Sequence, residues 1–140
     1  MKIHVNAIPM EGMDLEKDIM PLDLNLETKS VYYSDKVHLK VHAERDKDIL
    51  SADCYLKTTK TQICSKCTAE FESIVEKKEK FIYQLTGEHV VDLSDDIKDT
   101  IILDYSIRPL CKQDCKGLCA ECGNNQNIEQ CNCKVKKWQK

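Results

Sequence analysis

Val37-His-Leu-Lys-Val-His-Ala43, the charged run Glu44-Arg-Asp-Lys-Asp48, then Leu50-Ser-Ala-Asp-Cys-Tyr-Leu56 is the stretch that decides the fold. Successive side chains of a strand point to opposite faces. Val37, Leu39, Val41 and Ala43 share one face, and His38, Lys40 and His42 share the other. Leu50, Ala52, Cys54 and Leu56 repeat the pattern against Ser51, Asp53, Tyr55 and Lys57. Two half-buried strands joined by a charged turn predict an antiparallel sheet with one wet face. Cys54 falls on the apolar side, and an unpaired cysteine packs as a small hydrophobe, so it belongs to the core. His38 and His42 have metal-binding chemistry. A solvated polar face accounts for both, because cysteines elsewhere supply enough ligands.

Downstream, Cys64-Ser-Lys-Cys67 arrives as this strand ends. Phe71, Val75, Phe81, Tyr83 and Leu85 then share odd positions, the inward face of another long strand or pair of strands. Cys64 and Cys67 are thereby placed at the tip of an antiparallel hairpin. Val90-Val-Asp-Leu93 reads as extended. Ser94 is a candidate helix cap, and Asp95 and Asp96 suit the positive end of a helix dipole. Leu93, Ile97, Ile101, Ile102 and Tyr105 follow helical spacing, which predicts an amphipathic helix over 95–106, closed off by Pro109. Upstream, residues 1–8 alternate weakly, as a short strand would. Residues 9–30, with Pro9, Gly12 and Pro21, carry no decisive pattern.

The 140 residues are 41% hydrophobic and 32% charged, a globular composition with room for one domain and a small appendix. The first residues hold no apolar stretch suited to a signal peptide, and the longest aliphatic run is Ile101-Ile-Leu103. These features lead us to expect a cytoplasmic protein without a membrane partner. Disulfides do not persist in a reducing compartment, so nine cysteines, an odd number, point to metal. Charge divides unevenly. Residues 1–110 carry 15 basic and 21 acidic side chains, and residues 111–140 carry 6 and 3. A zinc ion held by four thiolates has a net charge of about −2, so bulk charge gives little support for nucleic-acid binding.

Setting Cys54 aside leaves four close pairs: Cys64/Cys67, Cys111/Cys115, Cys119/Cys122 and Cys131/Cys133. Structural zinc takes four thiolates, delivered as close pairs. Two Cys₄ sites follow. One joins the hairpin tip to the residues after the helix, and the other is a compact ribbon with residues 123–130 as its loop. A rival grouping gathers Cys111, Cys115, Cys119 and Cys122. Four thiolates leave no open position, so either grouping is structural, and we expect no catalytic residues and no small-molecule substrate. Cys115-x₃-Cys119-x₂-Cys122 has the spacing of radical S-adenosylmethionine enzymes, but Glu121 stands where those carry an aromatic residue, and their barrel is far longer. A rubredoxin-like iron centre or a dithiol redox protein uses the same ligands. The expected class is α+β: a mainly antiparallel sheet with one amphipathic helix (1–110), and a cysteine-rich, zinc-ribbon-like segment with a basic tail (111–140) docked on it.

Leu110-Cys-x₃-Cys-Lys-Gly-Leu-Cys-x₂-Cys-Gly123, with Asn127 and Cys131-Asn-Cys133, resembles the C-terminal signature of the YceD family of large ribosomal RNA subunit accumulation proteins. Cys64-x-x-Cys67, Val91-Asp-Leu93 and the helix leading to Pro109 are similar to other parts of that family, over roughly residues 35–133. Ala120 stands where proline is commoner, and Ser65-Lys66 replaces the usual pair. The resemblance implies a small, non-enzymatic bacterial protein that supports synthesis, processing or stability of 23S ribosomal RNA, with ribosomal RNA or assembly proteins as partners. Lys134, Lys136, Lys137 and Lys140 surround Trp138. Cations beside an aromatic can hold a phosphate backbone and stack a base, and a solubilising tail would have the same composition.

Overall fold

The computed structural model describes residues 1–26, 31–87 and 89–133. The predicted hairpin lies at its centre. β4 (Val37–Asp46) pairs antiparallel with β5 (Ile49–Ile63), and β5 pairs along its whole length with β6 (Glu70–Gln84). β2 (Met13–Ile19) adds to the free side of β4. β3 (Val31–Tyr33) continues the line of β4 along the far half of β5. Between the Tyr33–Lys60 and His38–Lys57 pairs, residues 34–37 oppose only Thr58 and Thr59, so the β3–β4 line bulges there. Thr58 Oγ1 donates to the Asp35 carbonyl at 3.2 Å and holds the bulge.

The charged run is shorter as a turn than its composition suggests. Glu44, Arg45 and Asp46 remain in β4, and the reversal is made at Lys47, whose φ is +51°. β1 (Lys2–His4) pairs with β7 (Val90–Asp92) in a separate two-stranded ribbon. The weak alternation of residues 1–8 therefore yields only three strand residues, followed by a 3₁₀ turn.

The core lies on one face of the sheet. Val37, Leu39, Val41, Ala43, Leu50, Ala52, Cys54 and Leu56 are all buried there. Ile3, Val5, Leu24, Leu26, Leu93, Ile97 and Ile101 cover them from above. The helix α1 spans Ser94–Ile102, four residues short of the predicted end at 106. Ile97 and Ile101 are buried, whereas Ile102 and Tyr105 are exposed. Past Ile102 the backbone tightens into i→i−3 bonds, from the Asp104 N–H to the Ile101 carbonyl at 3.2 Å and from the Tyr105 N–H to the Ile102 carbonyl at 3.1 Å. Asp104, in this last turn, accepts from Lys60 Nζ and Lys77 Nζ, each at 2.8 Å. Nor does Ser94 cap the helix. Leu93 occupies the cap position, and the Asp92 carboxylate accepts from the Ser94 N–H at 3.0 Å.

The inward face of β5 changes character along its length. After Leu56 it presents Thr58, Lys60 and Gln62, all buried. Lys60 is tolerated because its ammonium pairs with Asp104. This polar half carries the 15-residue strands β5 and β6 out to the tip at Cys64–Cys67, where the candidate site begins.

Candidate metal centres

The tip turns on a left-handed residue. The Thr68 N–H donates to the Cys64 carbonyl at 3.0 Å with Thr68 at φ +56°, and the Cys64 N–H donates to the Ala69 carbonyl at 2.9 Å. This closes a knuckle in which the backbone N–H groups of Lys66 and Cys67 face the Cys64 sulfur. Pro109 then delivers the post-helix segment. Its carbonyl accepts from the Ser65 N–H at 2.8 Å and the Ser65 hydroxyl at 3.0 Å. Cys111 and Cys115 are thereby set against the tip. Cys64 Sγ lies 3.7 Å from Cys115 Sγ, and Cys67 Sγ lies 3.6 Å from Cys111 Sγ.

A second knuckle repeats the device. The Gly123 N–H donates to the Cys119 carbonyl at 2.9 Å, Gly123 has φ +75°, and the N–H groups of Glu121 and Cys122 face the Cys119 sulfur. Cys131 and Cys133 complete this outer group. The sulfurs of Cys64, Cys67, Cys111 and Cys115 lie within 4.8 Å of one another, and so do those of Cys119, Cys122, Cys131 and Cys133. Cys111 and Cys115 thus stand with the hairpin tip, not with Cys119 and Cys122. All nine cysteines are free.

The donor set fits zinc. Four sulfurs at Zn–S bonds of about 2.3 Å stand about 3.8 Å apart along the edges of a tetrahedron. The 3.6 Å and 3.7 Å separations of the inner group meet that value. The first sulfur of each knuckle is also prepared for charge. Burial opposes ionisation of Cys64, but the N–H groups of Cys111, Cys67 and Lys66 outweigh it and bring the thiol down to about 6. Cys119 is likewise brought to about 6, chiefly by the Cys122 and Glu121 N–H groups. Protons remain on the partners. Cys111 is pushed up to about 12 by burial and by hydrogen bonding to Cys67, and Cys133 to about 12 by hydrogen bonding to Cys122 and by burial.

Asn127 is the contributor that spacing could not assign. Its Nδ2 lies 3.4 Å from Cys115 Sγ, and its Oδ1 accepts from the Lys116 N–H at 2.9 Å. Cys54 sits in the core apart from both groups, and burial pushes its thiol up to about 11. His38 pairs with Glu16 at 3.0 Å and Asp18 at 2.8 Å, and His42 with Asp14 at 2.7 Å and Glu44 at 3.2 Å. Both belong to the half-exposed polar face. Lys134, Lys136, Lys137, Trp138 and Lys140 lie outside the described residues.

The stretch holding six of the eight clustered cysteines also carries the match to known proteins. The family model "Large ribosomal RNA subunit accumulation protein YceD" matches residues 69–140. The chain belongs to the YceD family. Among curated YceD relatives, the chloroplastic YCED homolog 1 of Arabidopsis thaliana is 40% identical over 43 residues, 31% of this chain and 13% of that protein. Its counterpart in Zea mays is 40% identical over 50 residues, 35% of this chain and 17% of that protein. An uncharacterized protein of Mycobacterium leprae is 42% identical over 45 residues, 29% of this chain and 21% of its own. The match thus spans between an eighth and about a fifth of the length of these relatives. No solved structure gives a significant match. Among the described residues, no helix is long and apolar enough to cross a membrane.

Proposed function

We propose that the chain is a non-enzymatic, zinc-bound factor of the cytoplasm that supports accumulation of the large ribosomal RNA subunit. Its partners are ribosomal RNA or ribosome-assembly proteins, with no small-molecule substrate. The observation that carries this reading is the pair of all-sulfur groups, most of whose members lie in the stretch shared with the YceD family. The plant relatives' names specify large ribosomal RNA subunit accumulation. A zinc held by four thiolates has no open position for water or substrate, whereas catalytic zinc keeps one. That supports a structural ion. At the inner group it would staple the post-helix segment to the hairpin tip, with an apparent contribution on the order of 10 kcal/mol.

The test is a cell lacking this protein. Wild-type chain should restore 23S ribosomal RNA and large-subunit particles, and a chain with Cys64→Ser and Cys67→Ser should not. Full restoration by the cysteine variant would contradict the proposal. Elemental analysis and a visible spectrum separate zinc from iron, since a zinc tetrathiolate is colourless and an iron one absorbs. In this reading the tail supplies the contact. Replacing Lys134, Lys136, Lys137 and Lys140 with Gln, and Trp138 with Ala, should keep the metal but weaken association with ribosomal precursors. An RNA contact would also show a reduced salt slope. If that variant restores accumulation as well as wild type does, the tail is a solubilising extension.

A further inference from the structure

We propose that Asn127 couples the two cysteine groups, so that a metal held by the outer four cysteines tightens the hold of the inner four on theirs. The inference rests on the reading that both groups bind zinc.

Asn127 belongs to the outer group by sequence and to the inner group by contact. It lies in the eight-residue loop between Cys122 and Cys131. Its amide reaches out of that loop to the inner ligand Cys115. The orientation of the amide is fixed by chemistry. The Lys116 N–H can only donate, so the atom 2.9 Å from it is Oδ1, and the NH₂ faces the Cys115 sulfur at 3.4 Å. The second hydrogen of the NH₂ serves Asn125 Oδ1 at 2.8 Å, which also accepts from the Asn127 N–H at 3.0 Å. The side chain therefore spans Cys115 and the residue after it from the far side of a different site.

A hydrogen bond to a ligating sulfur stabilises its thiolate, and such supporting partners typically set metal affinity by ten- to a hundred-fold. The hydrogen bond exists only while the loop holds its shape. The loop is fastened by the Gln126 N–H on the Gly117 carbonyl at 2.9 Å and the Cys119 N–H on the Asn124 carbonyl at 2.8 Å. Its two ends are outer ligands. A metal binding Cys119, Cys122, Cys131 and Cys133 pins those ends and presents Asn127 to Cys115. By linkage, metal at the inner group then favours the outer one by the same factor.

The experiment measures zinc affinity of the reduced full chain by competition with a chromophoric chelator. Cadmium NMR, with one resonance per group, reports which group gives up metal. Asn127→Ala should weaken the inner group about tenfold while two metals still bind at saturation. Asn127→Asp should do the same, because its carboxylate keeps an acceptor for Lys116 but has no hydrogen for the sulfur. A mere loop staple would tolerate Asp. Cys122→Ser with Cys131→Ser disables the outer group and should also weaken the inner one about tenfold, and adding Asn127→Ala to that pair should change nothing further. Coupling is overturned if Asn127→Ala or Asn127→Asp leaves inner affinity unaltered, or if the two effects multiply. If the wild-type chain takes up no metal, the zinc reading itself falls and the coupling with it. Two metals with a silent Asn127 would remove the coupling alone.

Discussion

Two knuckles with the same backbone device meet different surroundings. Cys64-Ser-Lys-Cys67-Thr68 and Cys119-Ala-Glu-Cys122-Gly123 each close on an N–H to carbonyl bond, each place the fifth residue at positive φ, and each turn two N–H groups onto the first sulfur. The inner knuckle rides on two 15-residue strands and is packed with Phe71, Ala69 and Leu110. Cys64 and Cys67 are buried in it. Among the described residues, no strand lies beneath the outer knuckle. Cys122 is exposed, and Cys131 and Cys133 are only partly covered. Ligand geometry is thus a property of five residues, whereas protection of the metal is a property of the fold around them.

The largest effect that separates the two should come from Cys64→Ser. It removes a buried ligand and should lower stability by several kcal/mol, out of an apparent zinc contribution on the order of 10. Chemical denaturation with and without zinc measures it. An unchanged midpoint would show that the inner module is not braced by metal.

Asp104→Asn comes next, because Asp104 anchors the segment that delivers Cys111. Lys60, buried on the sheet's inner face, would lose its countercharge at a cost of about 3 kcal/mol. Burial alone would raise the Asp104 pKa, but Lys60 and Lys77 outweigh it and hold it below its ordinary 3.8. A depressed folded-state pKa stabilises above the unfolded value, and that stability is lost as pH falls through the folded one. The wild-type chain should therefore lose stability below about pH 4, and Asp104→Asn should flatten that limb. Denaturant melts at pH 7 and pH 3 decide it, and equal losses in both chains would be contrary.

Cys122→Ser should cost only about 1–2 kcal/mol, the equivalent of a roughly tenfold weaker inner site, while one zinc is lost. A loss matching that of Cys64→Ser would make the two modules one cooperative unit. Thr68→Gly should have the smallest effect and the opposite sign. A β-branched residue in the left-handed region is strained, and glycine there should add about 1 kcal/mol. A drop in thermal midpoint would show instead that the threonine side chain stabilises the tip.

What could be read from sequence follows the range of the interactions. The alternation of Val37–Ala43 and Leu50–Leu56 sets which side chains are buried, because the period of a strand is local. Cys54 was legible for the same reason. The tightened last turn of α1 was not, nor was the pairing of its Asp104 with Lys60, 44 residues away in sequence. Lys60 itself falls on the inward phase of β5 after Leu56, a position where lysine is rarely found without a partner. The continuation of β4 through Glu44–Asp46 escaped for want of any apolar signal. Asn127 sits in the run Gly-Asn-Asn-Gln-Asn; the family resemblance singles it out, but spacing gives it no role, and only the fold shows that it meets Cys115.

Eight cysteines divide into two groups of four, one at the hairpin tip and one in the outer ribbon, and each group is proposed to hold one metal ion. Elemental analysis of the reduced, zinc-loaded chain tests that proposal most directly, beside a variant with Cys119, Cys122, Cys131 and Cys133 all changed to Ser. The account predicts two zinc ions in the full chain, from its two sulfur groups, and one in the variant, held by Cys64, Cys67, Cys111 and Cys115. One ion or fewer in the full chain, or none in the variant, would contradict it.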